Sequence, residues 1–179
     1  METQRAQLLA QLLREMRAGD RDFFPDDVWQ ELHKTVAMPY IELLIPRKKG
    51  DQWEFFLTCR AALDPDWPST WHVPGGFWRT RLTQREACQS IALRELGTQL
   101  EDDVHELMTY KWVTHPRGKV ISHVCLCRPK GVLETNKDAR FFCDIPSPFI
   151  EQEVQFIEKA ISYLKDNPRS PFASGEQTE

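Results

Sequence analysis

The chain has 179 residues, 41% apolar and 28% charged, with 23 basic against 27 acidic side chains and a formal charge of −4. At roughly 150 residues per domain this is one domain with an appendage, long enough to bury a sizeable core. Six tryptophans and many large apolar residues spread along the chain exclude low complexity. No apolar run approaches the roughly 20 residues of a membrane span, so no membrane partner is expected.

The N-terminus, Met1-Glu-Thr-Gln-Arg, lacks an uninterrupted apolar segment and a small-residue cleavage site, which argues against a secretory signal. Mild acidity argues against a nucleic-acid coat. Cys59, Cys88, Cys125, Cys127 and Cys143 form an odd set without regular spacing. That pattern points away from a disulfide framework and towards a reducing, cytoplasmic compartment. Cys125 and Cys127 read as buried thiols on one face of a strand.

In chain order, residues 1–38 read as a helical extension. Ala6, Leu8, Leu9, Leu12, Leu13 and Met16 predict a helix over 2–18 that Gly19-Asp20 stops. Asp26-Asp27 opens a second helix with Val28, Trp29, Leu32 and Val36 on its apolar side. The two helices can pack on the core, join a homodimer or bind a partner. A domain over 39–166 follows. Its first strands, 40–46 and 53–59, are joined by the hairpin signal Arg47-Lys48-Lys49-Gly50-Asp51. Two prolines make 64–69 a loop. Residues 71–76 predict a strand ending in a tight double-glycine turn. Thr83 and Glu86 form a capping box and Gly97 a C-cap, which bounds a helix over 84–96. Strands are expected over 104–114, 119–127 and 140–143, and an amphipathic helix over 148–164. The tail, 167–179, is expected to fray. The order is ααβββαβββα.

A Trp71-His72-Val73-Pro74-Gly75-Gly76 strand end, followed by a capped helix closing on Glu95-Leu96-Gly97, resembles the Nudix hydrolases. Their box reads G-x5-E-x7-R-E-U-x-E-E-x-G-U, with U apolar. The ungapped match is most similar to the GDP-mannose mannosyl hydrolase-like branch. It runs from about Pro39 to Leu164 and includes Arg60 and Arg140-Phe141-Phe142…Ile145-Pro146. The resemblance implies an α/β/α sandwich around a mixed sheet, here with an N-terminal helical extension. It also implies cleavage beside a diphosphate with Mg²⁺ or Mn²⁺. Such an ester carries about two negative charges that repel a nucleophile, and a divalent cation neutralises them. Carboxylates on one helix face hold the cation, and glycines let backbone approach it.

Counted without gaps from Gly76, the box acids fall on Leu82, Ile91 and Arg94, and only Glu95 keeps a carboxylate. Position 91 shares the helix face of Glu95 at i, i+4, so Ile91 turns an apolar side chain where a second ligand would point. Arg94 brings a positive charge that opposes a cation at close range. A gapped alignment places Glu86, Arg94 and Glu95 on the first half of the box, but then fails at Thr98, Gln99 and Glu101. Glu95 is acidic in both. The resemblance thus implies Gly76 and Glu95 as metal ligands.

For catalysis it implies Glu95 and Glu134, the latter beside Thr135-Asn136, where the branch carries a Gln-His pair. Arg60, Arg79 and Arg81, with Arg85 in the same basic loop, are the candidates for phosphate. Trp67, Trp71, Phe77 and Trp78 are the aromatic residues that could sandwich a base or sugar, and Trp78, beside the basic loop, is the better stacking candidate. Trp71 reads as core, His123 as structural and His115 as a surface histidine.

These features support a divergent Nudix-type hydrolase acting on a nucleoside diphosphate linked to another moiety, such as a nucleotide sugar. The alternative is a Nudix-fold protein without catalysis that binds a nucleotide or a partner. A third reading is a structural homodimer built through the N-terminal helices. Residues 82, 90, 91 and 94 favour the second, and the resemblance favours the first.

Overall fold

Alternation of side chains along two central strands sets the architecture. In the computed structural model, which describes residues 2–18, 25–79 and 81–173, β1 (Met38–Leu44) turns Ile41 and Leu43 to one face and Leu44 to the other. Likewise β7 (Val120–Pro129) sends Cys125 and Cys127 one way and Val124 and Leu126 the other. The two strands pair in parallel from Met38 opposite Val120 to Leu44 opposite Leu126. β5 (Gly75–Phe77) and β6 (Leu100–Lys111) add antiparallel edges, in the order β5-β1-β7-β6. A second, antiparallel sheet is organised by β3 (Gln52–Cys59), which pairs with β2 (Pro46–Lys49), β4 (Trp71–His72) and β8 (Ala139–Phe142).

Helices cover both faces of the mixed sheet. α3 (Gln84–Leu96) buries Ala87, Cys88, Ile91 and Ala92 among Ile41, Leu43, Cys125 and Cys127. α4 (Val154–Asp166) buries Phe156, Ile157, Ala160 and Leu164 among Leu44, Val124 and Leu126. Each large aliphatic side chain so buried stabilises the fold by about 1.5–3 kcal/mol, so strands lined on both faces commit the chain to a three-layer α/β/α sandwich. The limits of α3 match the capping signals. Thr83 and Glu86 exchange both capping-box hydrogen bonds, and Gly97 closes the helix in the left-handed region at φ 65°.

Four expectations need correction. The apolar run from Tyr40 is two strands, because the chain passes from one sheet to the other at the buried Ile45. The run 71–76 divides in the same way into β4 and β5. Gly75 and Gly76 therefore stand inside a strand, opposite Glu42 and Ile41, and not in a turn. The C-terminal helix starts at Val154, after a 3-10 turn over Glu151–Glu153. Ahead of it, Trp71 N donates to Pro148 O and Ile150 N to Trp71 O, which holds 148–150 extended. The tail does not fray as far as Ala173, since Phe172 is buried in the larger core cluster. The Gly19-Asp20 stop and the chain beyond 173 lie outside the described residues.

Of the extension, α1 (Glu2–Ala18) keeps its leucines out of the core, with Leu8 and Leu9 56% and 59% exposed. α2 (Asp26–Thr35) is seated on the domain. Lys119 N donates to His33 O at 2.7 Å, and Trp29 meets the edge of Phe77 at 4.7 Å between centroids. Gly118 makes the seat possible: its φ is 123°, and a Cβ there would strike the His33 carbonyl. Gly118→Ala is expected to destabilise the protein by about 1–3 kcal/mol or more in chemical denaturation. Gly131→Ala, at φ 95° with open space around it, should cost less. Equal losses would contradict this seat for α2.

Candidate functional site

A cleft of about 880 Å³ opens where both sheets, the end of α3 and α2 meet. Its aromatic part is built by five separate segments. Trp29 from α2 and Phe77 from β5 lie beside Tyr40 of β1. Trp67 comes from the 64–69 loop, which is folded by Asp64 Oδ1 accepting from Asp66 N and Trp67 N at 3.0 and 2.9 Å. Trp112 and His115 come from the β6–β7 connection, and the His115 ring lies 5.1 Å from Trp67 and 4.9 Å from Trp112. Burial pushes His115 down to about 4, and its Nδ1 accepts from Arg117 N at 3.2 Å. The imidazole is therefore neutral, with its proton on Nε2.

The remainder of the cleft is cationic. Arg60, Arg79, Arg94, Arg117 and Lys137 line it. Arg117 binds Asp66 through Nε at 2.7 Å and Asp64 through Nη2 at 3.2 Å, and Arg60 reaches Asp64 at 3.6 Å. Both guanidiniums lie over Trp67, at 5.5 and 5.7 Å from its ring centre. Nε of Arg60 is buried without a hydrogen-bond partner among the described residues.

Beneath them lie two buried acids. Glu42 fits against Gly75 because a Cβ there would collide with its carboxyl group. Ser122 Oγ donates to Glu42 Oε1 at 2.9 Å and accepts from Trp112 Nε1 at 2.8 Å, so a three-residue chain of hydrogen bonds fixes the carboxyl. Glu153 Oε2 accepts from Val73 N at 2.6 Å. Burial pushes Glu42 up to about 8. It raises Glu153 too, and the nearby Glu42 adds to that rise. His72, which donates through Nδ1 to Val73 O at 2.7 Å, is pushed down to about 3 by burial and by the charge of Arg60. With Glu42 and Glu153 protonated, the carboxylates beside the five cationic side chains are Asp64, Glu95 and Asp138 of the lining and Asp66 on Arg117. The cleft thus gathers five cationic side chains in a chain whose formal charge is −4.

The structure brings Gly76, Glu95, Arg60 and Arg79 into this cleft. It does not bring in the others. Glu134 is exposed and outside the lining, which uses Asn136, Lys137 and Asp138 instead. Trp78 donates from Nε1 to Leu82 O at 2.9 Å and packs on the core around α3. Arg81 is exposed outside the lining, and Arg85 is paired with Asp102.

Gly76 and Glu95 do not fit a divalent cation. Nε of Arg94 holds Glu95 Oε1 at 2.7 Å, and the same guanidinium lies so close over Gly76 that a Cβ there would collide with it. Ile91 closes that side, and no group of three or more His, Cys, Asp or Glu side chains among the described residues could hold a metal. His115 is a cleft residue and not a surface one. Glu42, Glu153, Trp67, Trp112 and Arg117 also belong to the site. The sequence signal for Glu42 is a lone acid inside the buried run Ile41–Ile45, since a charge there must be paired or neutralised.

No protein-family model matches the chain, and no curated protein matches its sequence. Solved structures do match. A MutT/nudix family protein from Enterococcus faecalis superposes with a TM-score of 0.60 at 14% identity, over 92% of this chain and 73% of that one. The NUDIX domain of NrtR from Shewanella oneidensis, in a cocrystal structure with ADP ribose, gives 0.59 at 13% identity, over 80% of this chain and 94% of that one. A MutT NUDIX hydrolase from Burkholderia pseudomallei gives 0.58 at 18%, over 69% and 98%. At these identities the likeness concerns architecture, and the chain has the Nudix fold.

The buried acid has a measurable consequence. Glu42 is raised from 4.5 to about 8, so between those values the folded protein keeps a proton that the unfolded chain releases. Its stabilising contribution is full below pH 4.5 and is lost as pH rises through 8. His72 acts in the opposite sense, losing its contribution as pH falls from 6.5 towards 3. Replacing Glu42 by Gln should flatten the alkaline decline in Tm and leave the acid limb in place. A difference between wild type and variant that does not change with pH would contradict a neutral Glu42.

Proposed function

We propose that the cleft binds a nucleoside diphosphate linked to a second moiety, such as a nucleotide sugar, and that the protein is a divergent Nudix-type hydrolase of that ligand. The observation that carries this reading is a cleft lined by five cationic side chains in an otherwise acidic chain, next to an aromatic enclosure. A diphosphate ester brings about two negative charges and a flat, apolar base, and the cleft offers a match for each. ADP ribose, the ligand of the NrtR domain, belongs to this chemical class. Five cysteines without disulfides suit a reducing compartment such as the cytoplasm.

The chemistry this chain can supply is charge stabilisation and a proton. Arg60 and Arg79 line the cleft and would meet phosphate oxygens there, with Arg60 held by Asp64. Glu42 carries a proton near neutral pH, and Ser122 and Trp112 fix its position. It can donate that proton to the departing oxygen as a general acid, because a group poised near the working pH is both protonated and able to give the proton up. Mg²⁺ or Mn²⁺, which the family resemblance implies, has no fitting donor set at Gly76 and Glu95, so no step is assigned to it.

A second reading, binding without turnover, is favoured by the Arg94–Glu95 pair, which occupies the one acid left of the box. The two separate in one assay: release of phosphate or sugar from ADP-ribose, nucleotide sugars and dinucleoside polyphosphates, with Mg²⁺, Mn²⁺ or chelator. Hydrolysis predicts turnover that Glu42→Gln lowers by about 10²-fold or more. Saturable binding without product sinks the hydrolase and leaves the binding protein.

A further inference from the structure

Where the resemblance implies a divalent cation, this chain carries a guanidinium. Arg94 and Gly76 both line the cleft, and Nη2 of Arg94 takes the space that a Cβ on Gly76 would need. Ile91, one turn earlier on α3, presents Cγ1 to the same spot and leaves it without a second acid. Glu95 binds Nε of Arg94 at 2.7 Å, which orients the planar group. The arrangement is also favoured by its place in the fold. A cation in the last turn of a helix meets the partial negative charge of the terminal carbonyls, and Arg94 is the basic residue in the last turn of α3.

We infer that Arg94 stands in for the divalent cation of this cleft, pairing with the ligand's diphosphate so that the protein binds its ligand without metal. This rests on the reading that the cleft takes a nucleoside diphosphate derivative. A guanidinium offers two parallel N–H donors that match two phosphate oxygens, and it stays charged at any pH where the protein is folded. Unlike a hydrated cation it needs no cluster of carboxylates, which accounts for an apolar residue at 91. It also neutralises charge from the helix side, in addition to the guanidiniums of Arg60 and Arg117 held by Asp64. The protein exchanges one mobile double charge for fixed single charges that are always present.

The test is calorimetric titration of ADP-ribose into the full chain, once with EDTA and once with excess Mg²⁺. Affinities equal within about twofold are expected, with Arg94→Met at least tenfold weaker in EDTA and Arg94→Lys in between. Lys159→Ala removes a charge from the exposed side of α4 and should change little. Arg94 is 40% exposed, so matching melting curves will show that the variants fold. Binding that needs Mg²⁺, or Arg94→Met binding like wild type, overturns the role of Arg94 while the nucleotide reading stands. No binding in either buffer overturns the nucleotide reading itself.

Discussion

Two missing β-carbons determine what this cleft can hold. β5 runs against β1 with Gly75 and Gly76 at the contact, and neither glycine is there for a left-handed backbone. Their value is space. Without a side chain at 75, the carboxyl group of Glu42 fits under the strand, out of water and hydrogen-bonded to Ser122. Without one at 76, the guanidinium of Arg94 lies over the strand from the other side. An acid and a base from different elements thus approach one short strand from opposite directions.

The charge pattern follows from how each group is solvated. Glu42 and Glu153 are too deep to ionise cheaply, so they hold protons and take negative charge out of the cleft. The guanidiniums cannot respond in this way, because their charge persists under any solvation, and those of Arg60 and Arg117 rest against Asp64, Asp66 and the face of Trp67. The end of α3 differs in the same way from the box it resembles. Arg94 cancels the charge of the one acid left there, whereas a terminus with several carboxylates attracts cations.

Much of this was legible before any coordinates. The limits of α3 were written in Thr83, Glu86 and Gly97, because capping is a local interaction that depends on residues a turn apart. The loss of box acids at 82, 91 and 94 was equally plain, as was the conflict between Arg94 and a cation. The division of 40–46 and 71–76 between two sheets was not legible, because strands buried on both faces read as unbroken apolar runs. The aromatic enclosure was legible only in part, through Trp67 and Phe77. Trp67 lies on a connection far in sequence from that of Trp112 and His115, and the pairs Arg117–Asp64 and Arg117–Asp66 help draw the two together. Glu42 was visible as an acid among apolar neighbours, but its partners come from β5 and β7, which no local pattern reveals.

The proposed meeting of the ligand with a guanidinium, and not with a metal ion, at Gly76 is open to anomalous diffraction at the manganese edge from crystals grown with ADP-ribose and Mn²⁺. The diphosphate is expected to sit on Arg94 with no anomalous peak beside Gly76. A manganese peak between the Gly76 carbonyl and Glu95, with Arg94 swung away, would contradict it.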